Sequence, residues 1–355
     1  MSYADSQNVG KISFINQSFI TTKNLKSAKL YEIVQLGYRK LIGEVIEITP
    51  DEIYIQAYEN TAGLTTNDNV YSTNHYFLTK LGPGIFSRYK KEQNLAEKWN
   101  FLPMMFKGEK INSGDLLGEV KETSSISHKI LTPYEMNGEI ISIKSGNFII
   151  QEPIAQIYDG NKLIDISMRQ NWPIRIPRPY QEKNSSEQEL ISKQKILDSI
   201  FCSKFNQEDK IEKSIMQRQL AKWTEADVII AVLRKENQPE FLNKFTEFKD
   251  LKSKKSLLEK TIFFTNGAKL SASRDIFMDK AITATEYFRD MGNNVLFIID
   301  SINEWKKDLN ELAGFCDNKS SYYAHRLENF FSRAGRVKCL GKDGRIGSVA
   351  IIGGG

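Results

Sequence analysis

Residues 213–233 read KSIMQRQLAKWTEADVIIAVL, in which a helical pattern ends in the apolar run 228–233. Three more short apolar runs follow along the chain, and helical patterns separate them. Strands that alternate with helices of this length predict βαβ units and a mainly parallel sheet. We expect strands at 228–233, 261–265, 295–299 and 347–352, and helices at 213–223, 240–248, 273–291, 302–313 and 323–334.

The first 180 residues have a different pattern, which predicts β structure. Short alternating or apolar runs recur at 11–15, 30–34, 41–48, 52–57, 138–143 and 148–151. Gly, Asn-Asp and Pro turn signals separate them at the spacing of a barrel or sandwich. We therefore expect a β-barrel at 1–74, a connecting segment and β-rich insertion at 75–183, and an α/β domain at 184–355.

Composition excludes several classes of protein. The 355 residues are 40% hydrophobic and 26% charged, with a net charge of +5, as in ordinary soluble domains. The basic residues form no single stripe, so we expect no nucleic-acid partner. No apolar stretch is long enough to span a bilayer and no signal pattern opens the chain. Three scattered cysteines (Cys202, Cys316 and Cys339) predict no metal site and a cytoplasmic location.

The segment before the first strand of the α/β domain has an altered phosphate-loop motif. Phosphate-cradling loops have the form G-x-x-x-x-G-K-[ST], whereas residues 207–214 read QEDKIEKS. Lys213 and Ser214 fit the last two positions, but Gln207 and Glu212 replace both glycines. Glycine is needed there because the backbone takes a positive φ and approaches the phosphate closely. The altered segment favours a helix start with an exposed Lys213 over a phosphate site.

Many blocks along the chain resemble the catalytic A subunit of vacuolar-type and archaeal-type rotary ATPases. They cover nearly all 355 residues, and include LIGEVI at 41–46, QAYENTAGL at 56–64, LGPG at 81–84, WNFLP at 99–103, GDLLGEV at 114–120, SHKI at 127–130, WPIR at 172–175, EYFRDMG at 286–292 and RAGRV at 333–337. The resemblance implies an N-terminal β-barrel, a β-rich insertion and an abbreviated RecA-like nucleotide-binding domain. The family's C-terminal helical domain has no counterpart here, which predicts a truncated chain.

The resemblance also implies site residues and ligands. It assigns Lys213 and Ser214 to the nucleotide phosphates, Glu236 to the catalytic glutamate and Asp300 to Mg²⁺. Arg333 and Arg336 fall in a block that lies near subunit interfaces. The family uses Mg-ATP, assembles with B-type subunits, and couples ATP hydrolysis or synthesis to proton or sodium transport. Such a protein is cytoplasmic and reaches the membrane only through the complex.

This chain departs from the family at each catalytic part. The family's G-E-R-G-N-E reads KENQPE at 235–240, and its D-S-T-S-R-W reads DSINEW at 300–305. Asp300 also has a structural alternative as a helix cap. Because catalysis needs all these groups placed together, we expect this chain to be non-catalytic and doubt that it binds Mg-ATP. The alternatives are an unusual nucleotide site completed by a partner in the ring, a structural module of the ring, and a decaying remnant.

Overall fold

The N-terminal part of the chain folds into a small closed barrel. The computed structural model describes residues 9–25, 27–85, 97–123, 126–183, 221, 224, 226–248, 256–267, 270–313 and 319–353. The barrel has the strand order β1-β2-β5-β4-β3-β6. Its strands are β1 (Val9–Asn16), β2 (Phe19–Lys23), β3 (Glu32–Leu36), β4 (Leu41–Ile48), β5 (Ile53–Ala57) and β6 (Asn69–Tyr76). Val34 and Leu36 of β3 are buried inside with Val45 and Ile55, as the period-2 pattern requires.

The following part is a β-sandwich. Two four-stranded antiparallel sheets, β11-β10-β8-β13 and β15-β14-β12-β9, share Ile143 at the edge of both cores. A two-stranded ribbon, β16-β7, lies beside them. The strands are β7 (Leu78–Leu81), β8 (Lys98–Pro103), β9 (Lys110–Ile111), β10 (Leu116–Lys121), β11 (Ser127–Leu131), β12 (Gly138–Ile143), β13 (Gly146–Ile149), β14 (Pro153–Tyr158), β15 (Leu163–Ser167) and β16 (Gln170–Pro173).

The C-terminal part is an α/β domain around a six-stranded sheet of order β17-β21-β22-β20-β18-β19. Strands β19, β18, β20 and β22 are mutually parallel, and β21 and β17 extend the sheet in antiparallel fashion. The strands are β17 (Glu182–Lys183), β18 (Val228–Arg234), β19 (Thr261–Asn266), β20 (Asn294–Ile299), β21 (Gly335–Lys338) and β22 (Ile346–Gly353). The helices are α1 (Gln238–Glu247), α2 (Ser271–Asp290), α3 (Ile302–Ala313) and α4 (Lys319–Phe331), and a 3-10 turn, Leu257–Lys260, precedes β19.

The central strand β18 is buried on both faces, which explains its continuous apolar sequence. Ile230 belongs to the same core as Phe288 of α2, whereas Ile229 belongs to the opposite core with Phe245 of α1. Helices on both sides of a parallel sheet bury successive residues alternately against each layer. The predicted fold class, a barrel and β-rich insertion followed by a mainly parallel α/β domain, is confirmed.

Helix α2 is buried over most of its surface and carries many charged residues. It ends where Gly292 takes a positive φ of 84° and its N–H donates to the carbonyl of Arg289 at 2.8 Å. Glycine adopts this left-handed helix-stop conformation without a Cβ penalty. The end of α2 therefore lies directly before β20.

Several predicted bounds shift in the structure. The strand predicted at 148–151 ends at Ile149, because the backbone then turns and the Ile149 N–H donates to the Glu152 carboxylate at 2.8 Å. The helix predicted at 323–334 ends at Phe331. The helix predicted at 213–223 lies outside the described residues apart from Ala221. Across the described parts of the chain, no helix combines the length and hydropathy that a membrane span needs.

Candidate functional site

The carboxyl ends of β18 and β20 bring two predicted site residues to one edge of the sheet. Val232 pairs with Ile299, and the N–H of Asp300 donates to the carbonyl of Val232 at 3.0 Å. The turn that contains Glu236 follows β18 directly, so it lies beside Asp300. Ligands of open α/β sheets bind at this edge.

The carboxylate of Asp300 is held by residues of the neighbouring turn. Its Oδ2 accepts a hydrogen bond from the Asn237 side-chain amide at 2.6 Å and lies 3.5 Å from the backbone N of Arg234. The Arg234 guanidinium is 3.7 Å away and exposed, whereas the Asp300 side chain is buried. These contacts tie the ends of β18 and β20 together, and they differ from the helix cap considered as its structural alternative.

Glu236 has an exposed side chain in the turn between β18 and α1. Glu240, the other carboxylate that remains from the family motif, is exposed in the first turn of α1. A water-polarising carboxylate has to be aimed at the attacking water. The turn keeps the carboxylate of Glu236 at the correct edge of the sheet but in solvent.

Lys213 and Ser214, the predicted phosphate ligands, lie outside the described residues. Among the residues that the structure describes, no group of three or more His, Cys, Asp or Glu side chains could hold a metal ion. Asp300 is thus the one predicted Mg²⁺ ligand whose surroundings can be described.

The two predicted interface arginines have different environments. Arg333 is buried, and its Nη2 donates to the carbonyl of Ile174 at 2.9 Å while its Nε lies 3.8 Å from the Glu286 carboxylate. It joins α2 to the segment after β16. Arg336 is exposed on β21, so its side chain is accessible to a neighbouring protein in a ring.

A buried ionic cluster that the sequence analysis did not identify joins the barrel to the α/β domain. Arg175, in the segment after β16, donates to the carboxylate of Glu44 in β4 at 2.8 Å and to that of Asp275 in α2 at 2.6 Å. It also contacts Asp279 one helical turn further along α2. All four side chains are buried. One guanidinium thus holds three carboxylates from two domains.

Asp275 is the point where the helices of the α/β domain converge on this cluster. Its carboxylate accepts hydrogen bonds from Arg326 of α4 at 2.8 Å and from the indole N–H of Trp305 in α3 at 3.1 Å. Burial alone would raise the pKa of Asp275, but the guanidiniums of Arg326 and Arg175 outweigh it and lower that pKa to about 2. Asp275 therefore stays charged.

Tyr58 completes the barrel side of the cluster. Its hydroxyl donates to the Glu44 carboxylate at 2.5 Å and lies 3.2 Å from the Arg175 guanidinium. Burial and the charge of Glu44 raise the pKa of Tyr58 well above its usual value. The phenol is therefore a neutral hydrogen-bond donor.

Sequence models of the ATP synthase alpha/beta family match most of the chain. The beta-barrel domain of that family matches residues 20–74, the alpha/beta subunit barrel-sandwich domain matches 92–175, and the nucleotide-binding domain matches 207–353. The chain belongs to the ATP synthase alpha/beta family. The recognition made from the sequence blocks is confirmed.

Within this ATP synthase family, the chain is similar to V-type and A-type members. The V-type ATP synthase alpha chain of Acetivibrio thermocellus is 34% identical over an alignment that covers 97% of this chain and 65% of the relative. The corresponding chain of the A-type ATP synthase of Thermococcus sibiricus is also 34% identical, with 97% and 66% covered. The chain spans about 65% of the length of the curated relatives that it matches.

A solved structure has the same fold at lower sequence similarity. The assembled ATPase EscN of the enteropathogenic E. coli type III secretion system superposes with a TM-score of 0.54 and 16% identity, covering 97% of this chain and 68% of EscN. This similarity concerns the fold alone.

Proposed function

We propose that this chain is a non-catalytic, A-subunit-like member of a rotary ATPase ring, which keeps the assembly role of the barrel. The observation that carries the proposal is the 2.6 Å hydrogen bond between Asn237 and Asp300. It holds the carboxylate that in the family is associated with Mg²⁺.

Hydrolysis would require several groups of this site to change together. A Mg²⁺ ion would compete with Asn237 for the buried carboxylate of Asp300, and the exposed Glu236 would have to turn toward an attacking water. The segment 207–214 would have to hold phosphates without either glycine. Since these groups act as one unit, their combined displacement supports a ring member without turnover.

The assembly role is supported by the way the barrel is fixed to the rest of the chain. Arg175 connects Glu44 of the barrel with Asp275 of α2, and the outer face of the barrel packs Phe19 and Tyr54 against Tyr322 of α4. A barrel fixed in this way presents its surface to neighbouring subunits in one orientation. The proposed partners are B-type subunits, and the proposed location is cytoplasmic and peripheral to the membrane in the complex.

A second candidate function keeps the chain as an enzyme whose nucleotide site is completed by a partner in the ring. The observation that favours it is that the turn with Glu236 and the carboxylate of Asp300 share one edge of a parallel sheet, where nucleotides bind in such folds.

Reconstitution with B-type subunits separates the two functions. We expect the full chain to enter the ring, and the ring's Mg-ATP turnover to be the same with the wild type, Glu236→Gln and Asp300→Asn. Failure of the folded chain to enter the ring would remove the assembly role. A turnover that disappears with Glu236→Gln while the ring stays intact would establish the enzyme.

A further inference from the structure

An open groove of about 560 Å³ lies between the loop after β11 and the segment that surrounds β16. Its volume is within the range of small-molecule sites. Four prolines and two aromatic rings supply much of its wall, namely Pro133, Pro173, Pro177, Pro179, Tyr134 and Trp172.

The walls of the groove suit a flat apolar body. The rings of Tyr134 and Trp172 meet nearly edge to face with centroids 5.8 Å apart. Tyr134 is 48% exposed although it is a large apolar side chain. Proline has no backbone N–H, so the proline-rich walls offer surface rather than donors. A ligand would gain affinity here mainly by burying apolar area.

A small side cavity of about 20 Å³ shares Tyr134 and Pro179 with the groove, and Arg178 lines it. The guanidinium of Arg178 lies 4.6 Å from the centroid of the Trp172 ring, directly behind the groove wall. Arg178 is only 6% exposed, and its Nη1 is a buried donor without a hydrogen-bond partner. A buried unpaired donor on a cation is unfavourable unless an acceptor reaches it.

The charges around Arg178 favour a negative acceptor. Asp290, which also lines the side cavity, accepts from Arg178 at 2.6 Å and from Arg289 at 2.7 Å, so both of its oxygens are engaged. Glu286 is shared by Arg289 and Arg333. The cluster therefore combines three guanidiniums with two carboxylates and carries one excess positive charge.

We propose that this groove binds a small aromatic carboxylic acid, with its ring against Tyr134 and Trp172 and its carboxylate on Nη1 of Arg178. The site lies away from the Asp300 edge of the sheet, and it does not depend on whether the chain hydrolyses ATP.

Calorimetric titration of the full chain with N-acetyl-tryptophan and its neutral amide tests the proposal, since the two probes differ only at the carboxylate. We expect saturable binding of the acid and about tenfold or weaker binding of the amide, because a hydrogen bond to a charged group is lost. Equal binding of acid and amide, or no saturable binding of the acid, would overturn the proposal.

Variants locate the binding. Tyr134→Ala should weaken both probes about tenfold through lost apolar contact, whereas Tyr158→Ala, an exposed tyrosine of the same sandwich, should change neither. Arg178→Gln should abolish the preference for the acid. If Arg178→Gln does not fold, the acid–amide difference and the Tyr134→Ala result decide the outcome, and unchanged binding by Tyr134→Ala rejects the site.

Discussion

The side-chain amide of Asn237 donates to the carboxylate of Asp300 over 2.6 Å, and this contact joins the turn after β18 to the end of β20. Two adjacent parallel strands are thereby connected at the edge where nucleotides bind in related folds. Asp300 thus stabilises the sheet edge in the same position where the family resemblance assigns it to a metal ion.

Replacing Asn237 by Ala should destabilise the chain by about 1–3 kcal/mol, because the buried carboxylate of Asp300 loses its short hydrogen bond. Urea unfolding measures the change. Glu236→Ala, in the same turn but exposed, is the matched control and should stay within about 0.5 kcal/mol of the wild type. Equal losses in the two variants would show that the contact contributes nothing.

Replacing Arg175 by Met should have a larger effect, about 3–5 kcal/mol, because it leaves three buried carboxylates without this cation. Arg39→Met removes an exposed arginine bound to the carbonyl of Ala62, and we expect a change within about 0.5 kcal/mol. A loss for Arg175→Met no greater than that of the control would refute the role of the cluster in joining the domains.

The Arg175 cluster also changes how the assembly role has to be tested. A structural module confined to the first 180 residues would tolerate deletion of residues 185–355. That deletion would remove Asp275 and Asp279, with which Arg175 is buried, so loss of binding would report damage to the barrel's support. Assembly is therefore tested with the full chain.

Acid should weaken the fold through Asp275. Its folded pKa of about 2 lies below the ordinary aspartate value of about 3.9. The stabilisation is complete above the ordinary value and is lost as the pH falls toward 2, by about 2 kcal/mol. Unfolding measured from pH 6 to pH 2 should show a shallower dependence for Asp275→Asn than for the wild type. Asp165→Asn, at an exposed position, should keep the wild-type slope, and identical slopes in all three proteins would contradict the assignment.

The thiol of Cys339 should react slowly in the folded chain. Burial, together with the charge of Asp290, raises the pKa of Cys339 to about 11, so little thiolate exists at pH 8. A Cys202→Ser/Cys316→Ser variant isolates this thiol for labelling with a thiol reagent. We expect slow labelling at pH 8 and rapid labelling in denaturant, whereas equally rapid labelling in both would show that the thiol is accessible.

The sequence predicted the regular elements of the α/β domain well, because burial on both faces writes an unbroken apolar run. The run at 295–299 became β20, and α3 has the predicted bounds Ile302–Ala313. Strands with exposed faces were harder to predict. Strand β8 (Lys98–Pro103) has only Phe101 fully buried and pairs with partners distant in sequence, so its local pattern is weak.

The sequence brought Glu236 and Asp300 to one edge of the sheet through the strand order, but it did not predict Asn237 as the partner of Asp300. It also missed the Arg175 cluster, since Arg175 and Asp275 are 100 positions apart. One signal was present in the sequence. Asp275 and Asp279 are four residues apart on one helix, where like charges repel unless a cation lies between them.

The melting temperature of the full chain with and without excess Mg-ATP tests the central claim most directly, with ADP as a second ligand and Mg²⁺ alone as the control. Ligand at 100 times its dissociation constant would stabilise the fold by about 2.7 kcal/mol, which gives a measurable shift. A non-catalytic protein whose Asp300 is held by Asn237 predicts one cooperative melt at an unchanged temperature. A saturable increase with Mg-ATP that Mg²⁺ alone does not produce would contradict that account.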